Sequence, residues 1–128
     1  MSDNNYLAIG DIHGCPRSLE ALLDKLSEHN DRQFVFVGDY IDRGPDSRGV
    51  IDLLLEFREQ QDCIFLRGNH EQMLLDAVEY GDVDMWIANG GRETLESYQT
   101  DDDEIDLSKE HLEFYRETRI YYDTPDYF

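Results

Sequence analysis

Three short strings constrain what this chain can fold into: Gly10-Asp11-Ile12-His13-Gly14, Gly38-Asp39-Tyr40-Ile41-Asp42-Arg43-Gly44 and Gly68-Asn69-His70-Glu71. Each follows an apolar run of strand length: Tyr6-Leu7-Ala8-Ile9, Phe34-Val35-Phe36-Val37 and Cys63-Ile64-Phe65-Leu66. Functional groups in an open α/β sheet gather where strands end and loops begin. A Gly-Asp pair after one strand is an ordinary turn. Three such strings in one chain, each carrying oxygen or nitrogen donors beside a glycine, bring candidate metal ligands and catalytic groups into one crevice. That is the layout of a metal-assisted hydrolase.

Between the runs the pattern is helical. Pro16 suits a first helical turn, and Leu19, Leu22, Leu23 and Leu26 follow at helical spacing to about His29. Pro45-Asp46-Ser47 reads as a helix start, with Val50, Leu53, Leu54 and Phe57 as its apolar face. Met73, Leu74, Ala77 and Val78 mark a third helix. The order β-α-β-α-β-α implies a parallel sheet with right-handed crossovers. Short helices are expected around Met85 to Ala88 and from Gly91 to Tyr98. Leu112, Tyr115 and Ile120 then suggest a last helix turning into an extended stretch. A chain of 128 residues fits one domain.

With 30 acidic against 11 basic residues, the formal net charge is -19. Such a field repels nucleic acid, so DNA or RNA partners are not expected. Trp86, Tyr98 and the terminal aromatics read as packing groups, since a base-stacking surface would need basic neighbours. The run Asp101-Asp102-Asp103-Glu104 reads as a solvated loop. Excess acid with only two lysines, Lys25 and Lys109, suggests a salt-adapted source. No apolar run approaches the ~20 residues needed to span a membrane. Two cysteines, Cys15 and Cys63, are too few for a disulfide framework, and a reduced cytoplasmic protein is expected.

The order Gly-Asp-x-His-Gly, Gly-Asp-x-x-Asp-Arg-Gly, Gly-Asn-His-Glu resembles the calcineurin-like metallophosphoesterases. Asp42-Arg43-Gly44 and Leu66-Arg67 narrow the resemblance to the phosphoprotein phosphatase branch. Trp86-Ile87-Ala88-Asn89-Gly90-Gly91 with Thr94-Leu95 is similar to its bacterial members, which include small Ser/Thr protein phosphatases and symmetrically cleaving bis(5′-nucleosyl) tetraphosphatases. The implied fold is α/β, the N-terminal half of a β-sandwich flanked by helices (α/β/β/α), with mainly parallel strands in this half.

The resemblance implies two divalent metal ions, with manganese first and iron or zinc as alternatives. Asp11 and His13 would hold the first, Asp39 would bridge, and Asn69 would bind the second. His70 would protonate the leaving oxygen and Asp42 would orient it. Arg43 would grip the phosphate. Arg67 is a second candidate for that task, against the alternative that it pairs with a carboxylate such as Glu71. Glu71 itself suits the start of the following helix. His29 and His111 are expected at the surface.

In the resembled family an apolar strand ending in His-Ala-Gly follows the point where this chain stops, and a later Gly-His string completes the second metal position. The chain is therefore expected to be a single domain over residues 1-128, truncated at its C-terminus, with an incomplete second site. A half-sandwich should leave one sheet face uncovered, which favours self-association. The expected activity is phosphoester hydrolysis on phosphoprotein, with small phosphoesters as surrogate substrates and symmetrical hydrolysis of dinucleoside tetraphosphates as the alternative. An inactive metal-binding fragment is the rival of another class.

Overall fold

The computed structural model describes residues 6–10, 12–26, 32–100 and 105–120. Its order is β1 (Tyr6–Ile9), α1 (Pro16–Leu26), β2 (Gln33–Phe36), α2 (Ser47–Arg58), β3 (Cys63–Phe65), α3 (Asn69–Tyr80), α4 (Val83–Trp86), a kinked turn (Ile87–Gly91), α5 (Arg92–Ser97) and α6 (Lys109–Glu117). The alternation expected from the apolar periodicities is present. His29, the 101–104 acidic run and the terminal aromatics Tyr127 and Phe128 lie outside the described residues, as does Asp11.

The three strands are parallel in the order β1-β2-β3. Their register pairs Ile9 with Phe36 and Phe36 with Phe65. The last residues of all three strands therefore lie side by side, and the three glycine-containing loops leave from the same edge. The chain after α6 returns to this sheet: Arg119 donates its N–H to the Phe65 carbonyl (2.9 Å) and accepts from Arg67 N–H (2.7 Å), beginning a parallel pairing beside β3. The expected turn into an extended stretch is that return.

Alternation along the strands separates two apolar clusters. Ile9, Phe34 and Phe36 face the helices, where Leu19 and Leu23 of α1, Val50, Ile51, Leu54 and Leu55 of α2, Leu74 of α3, Trp86, Leu95 and Phe114 complete one core. In α2 the buried stripe takes in Ile51 and Leu55, while Leu53 and Phe57 are only partly covered. Leu22 of α1, expected on the buried face, is 38% exposed. α2 begins as its sequence predicts, with Asp46 accepting from Gly49 N–H at 2.9 Å.

On the opposite sheet face Val35, Ile64 and Leu66 form a second cluster, exposed by only 0, 8 and 4%. The bare face expected of a half-sandwich is absent at these three residues, whereas Ala8 is exposed.

His111 corrects the expectation of a surface histidine. It is 4% exposed and wedged between α2 and α5. Its Nε2 is 2.7 Å from Asp52 Oδ1, its Nδ1 is 2.7 Å from the Tyr98 hydroxyl, and that hydroxyl is 2.7 Å from Tyr115 Oη. In the neutral ring Nε2–H donates to Asp52 and Nδ1 accepts from Tyr98, leaving Tyr98 oxygen to accept from Tyr115, so every buried hydroxyl is satisfied. The interruption by polar residues hid this position, because a histidine preceding Leu112 on an acidic helix gives no apolar signal. His111→Leu is expected to destabilise the fold by about 1–3 kcal/mol through the polar partners it strands. Urea denaturation checks this, and an unchanged midpoint would contradict the assigned role.

Candidate active site

The site is built by the loops after β1, β2 and β3. The first two are tied backbone to backbone: His13 N–H donates to the Asp39 carbonyl (3.0 Å) and Gly14 N–H to the Tyr40 carbonyl (2.7 Å). Gly44 abuts the His13 carbonyl so closely that any Cβ there would collide with it. Glycine at this position is a packing requirement.

Glu71 joins the second loop to the third. It is fully buried, and its Oε1 accepts from Asp39 N–H (2.7 Å) and Gly68 N–H (2.9 Å) while Oε2 accepts from Tyr40 N–H (2.8 Å). Burial pushes its carboxyl up to about 7, against the pull of those three amide donors. The helix-start role expected for Glu71 is present in the Gly68 bond, but two of its three bonds go to a loop 31 or 32 residues away. Asp39 in turn accepts from His70 N–H at 3.3 Å.

Among the described non-glycine residues with positive φ are His13 (41°), Asp39 (58°), Asp42 (76°) and Arg43 (71°). Left-handed backbone costs a residue with a Cβ roughly 1–2 kcal/mol. Its concentration at these residues means the surrounding bonds hold the loops against local preference.

His70 and Asp42 form the site's most enclosed pair. His70 Nδ1 lies 2.7 Å from Asp42 Oδ2, and Asp42 is completely buried. Two further donors converge on the same carboxylate: Trp86 Nε1–H, at 3.0 and 2.8 Å from its two oxygens, and the Thr94 hydroxyl at 2.6 Å. Asp42 N–H is held by Ser47 Oγ and Thr94 Oγ1, each at 3.0 Å. Since the Thr94 hydroxyl has one proton and gives it to Asp42, Ser47 is the donor in the 2.7 Å Ser47–Thr94 bond. Burial raises the Asp42 carboxyl above its ordinary value, while the Thr94, His70 and Trp86 donors pull it down.

His13 and His70 meet edge to face, with ring centroids 4.9 Å apart. His13 Nδ1–H donates to the Ile41 carbonyl at 3.0 Å, which in the neutral ring leaves Nε2 with its lone pair free. Asn69 is exposed and lies between Gly68 and His70, whose neighbours in space include Asp39. Among the described residues no three His, Cys, Asp or Glu side chains form a metal-holding group; Asp11, the fourth sequence-predicted ligand, is outside them.

Arg43 is exposed, with its N–H bonded to the Gly90 carbonyl at 3.1 Å. Arg67 is differently placed. Its Nε donates to Thr118 Oγ1 (3.1 Å), Nη1 to Gln72 Oε1 (3.1 Å), and Nη2 to the Arg116 and Thr118 carbonyls (3.1 and 3.3 Å). It thus clamps the C-terminal end of α6 rather than pairing with Glu71.

The strand ends of this parallel sheet bring imidazoles, carboxylates and an amide near an exposed arginine, residue types that metal-assisted phosphoester chemistry can use. The chain belongs to the calcineurin-like phosphoesterase family, whose pattern matches residues 5–126. It is 44% identical over 84 residues to serine/threonine-protein phosphatase 2 of Escherichia coli K12, covering 65% of this chain and 37% of that protein. Serine/threonine-protein phosphatase 1 of Salmonella typhimurium is 46% identical over 87 residues, with the same coverages of 65% and 37%. An asymmetrical bis(5′-nucleosyl)-tetraphosphatase, PrpE of Oceanobacillus iheyensis, is 46% identical over 71 residues, covering 48% of this chain and 28% of that one. A cold-active protein tyrosine phosphatase of known structure superposes with a TM-score of 0.53 at 25% identity, covering 79% of this chain and 34% of its own. The chain thus spans little more than a third of the length of the curated phosphatases it matches. Among the described residues no helix is long and apolar enough to cross a membrane.

Proposed function

We propose that the protein hydrolyses phosphoserine or phosphothreonine esters in protein substrates, with manganese as its metal. The observation that carries the reading is the buried Asp42–His70 pair beside an exposed arginine. It sits in a chain whose similarity to two bacterial Ser/Thr phosphatases extends over 84 and 87 residues.

The donor set fits divalent ions. His13 presents a free Nε2, Asp39 a carboxylate, and Asn69 an amide oxygen, and mixed imidazole and oxygen donors suit manganese, iron or zinc. His13 with Asp11 would hold one ion, Asp39 would share its two oxygens, and Asn69 would hold the other. When bound, the ions supply Lewis-acid activation of the attacking water and neutralise charge on the phosphoryl oxygens.

The remaining work falls to the chain's own side chains. Arg43 offers a planar fork of donors to two phosphate oxygens. His70 Nδ1–H is fixed on Asp42, which turns Nε2 toward the other side of the ring. From there it delivers a proton to the departing ester oxygen, so that the serine or threonine leaves as an alcohol instead of an alkoxide. Asp42 stabilises the charged ring before transfer.

Metal binding is tested by calorimetric titration of manganese into the chain and into Asp39→Asn. A loss of affinity of about tenfold or more is expected, in the range seen when a ligand or its support is removed. Equal affinities would remove Asp39 from the metal site. Substrate class is tested by comparing release of phosphate from a phosphoserine peptide with cleavage of a bis(5′-nucleosyl) tetraphosphate. The PrpE similarity favours the second as the alternative. Faster tetraphosphate cleavage would overturn the protein-phosphatase reading, and absence of both with metal bound would favour an inactive metal-binding fragment.

A further inference from the structure

Trp86 and Thr94 lie 44 and 52 residues beyond Asp42 in sequence, yet both donate to its carboxylate. Trp86 is wholly buried, and so is Thr94. A buried tryptophan must find an acceptor for its Nε1–H, and here that acceptor is the carboxylate paired with His70, reached at both oxygens. Between these two residues the backbone bulges out at a kink between two helical segments, with non-helical backbone at Asn89 and Gly90. The bulge brings the Gly90 carbonyl onto Arg43 N–H, and Gly90 sits so close that a Cβ there would lie 2.6 Å from Arg43 Cγ. Here the turn lets one segment reach two adjacent residues, Asp42 and Arg43, both held at positive φ.

We propose that the segment from Trp86 to Thr94 is a clamp that positions the acid pair and its arginine, with Trp86 and Thr94 as positioning residues for His70. The inference rests on the reading of His70 as the proton donor to the leaving group. Thr94 holds Oδ1, while Trp86 spans both oxygens and shares Oδ2 with His70. With them in place the carboxylate has one orientation, and the His70 ring is locked with Nε2 facing outward. Without them the carboxylate can rotate within its pocket, and the ring follows.

The test uses substrates that differ in their need for an acid. Phenyl phosphate has a poorer leaving group than p-nitrophenyl phosphate. Trp86→Phe removes the Nε1–H donor while keeping an aromatic ring; Thr94→Val removes the hydroxyl at nearly constant volume, and Thr94→Ser keeps it. Trp86→Phe and Thr94→Val are expected to lower kcat on phenyl phosphate by about ten- to a hundredfold, the worth of one hydrogen bond to a charged group. The loss on p-nitrophenyl phosphate should be smaller, KM should change little, and Thr94→Ser should recover most of the loss. In parallel, the His70 Nδ1–H proton resonance, read by NMR on the chain without substrate, should broaden or move in Trp86→Phe and Thr94→Val and remain in Thr94→Ser.

Wild-type kcat on both substrates with an unmoved His70 resonance would overturn the clamp. If His70→Asn itself shows the same loss on both substrates, the acid reading fails, and the resonance still decides whether Trp86 and Thr94 fix the ring. Should Trp86→Phe not fold, the Thr94→Val and Thr94→Ser pair carries both readouts.

Discussion

His70→Asn is expected to lower turnover on a phosphoserine peptide by about a hundred- to ten-thousandfold, the usual contribution of a positioned general acid. Its metal content should stay at the wild-type level. The neighbouring substitution Asn69→Ala should do the reverse and first reduce occupancy of the second ion. The separation follows from the geometry. His70 is directed by its Nδ1 contact toward the enclosed Asp42 carboxylate, whereas Asn69 is exposed at the beginning of α3. Asparagine at position 70 keeps an amide N–H able to reach Asp42, so the buried carboxylate retains a donor and the fold is spared. It cannot, however, carry a proton to an ester oxygen. Elemental analysis and steady-state kinetics on the two variants check the division. If His70→Asn loses metal as severely as Asn69→Ala, His70 acts as a ligand and not as the acid.

The parallel sheet and the convergence of its loops were legible because they depend on local signals. Four apolar residues and then a glycine-flanked donor say strand and loop wherever they occur, and the lateral pairing of Ile9, Phe36 and Phe65 makes the three loops neighbours. The groups that hold the donors in place were not legible. Trp86 is an apolar letter in a short helix and reads as core, which it also is. Its N–H reaches Asp42 only because the tertiary fold closes a gap of 44 residues. Thr94 and Ser47 carry hydroxyls that occur at any helix start. Arg67 was readable as a phosphate ligand by its place beside Gly68, but its donors go to Gln72, to the Arg116 carbonyl in the last turn of α6 and to Thr118 just after it. His111 was misread because burial of a polar residue depends on partners from other elements, here Asp52 and Tyr98.

Glu71 should prove the most sensitive position for stability. Its carboxylate satisfies three backbone donors from two loops that otherwise meet without a regular ladder. One of those loops holds Asp39 at a φ of 58°. Glu71→Ala strands the Tyr40 N–H in a fully buried setting and leaves a void, while Asp39 N–H and Gly68 N–H, which are only part-buried, can recover water. The expected loss is about 3–5 kcal/mol, combining an unsatisfied buried donor with a truncated core side chain. Glu71→Gln is expected to cost less, about 1–3 kcal/mol. Its single carbonyl oxygen can keep the two donors now shared by Oε1, but its amide group then faces Tyr40 N–H donor to donor. Glu71→Ala should also bind manganese more weakly, because the loop that carries Asp39 is released, whereas Glu71→Gln, which keeps the Asp39 N–H bond, should bind closer to wild type. Urea denaturation of the metal-free chain gives the order wild type, Gln, Ala without interference from bound metal. Equal midpoints for wild type and Glu71→Ala would show that the two loops hold their shape without the carboxylate, and Glu71 would then be only a helix-start residue.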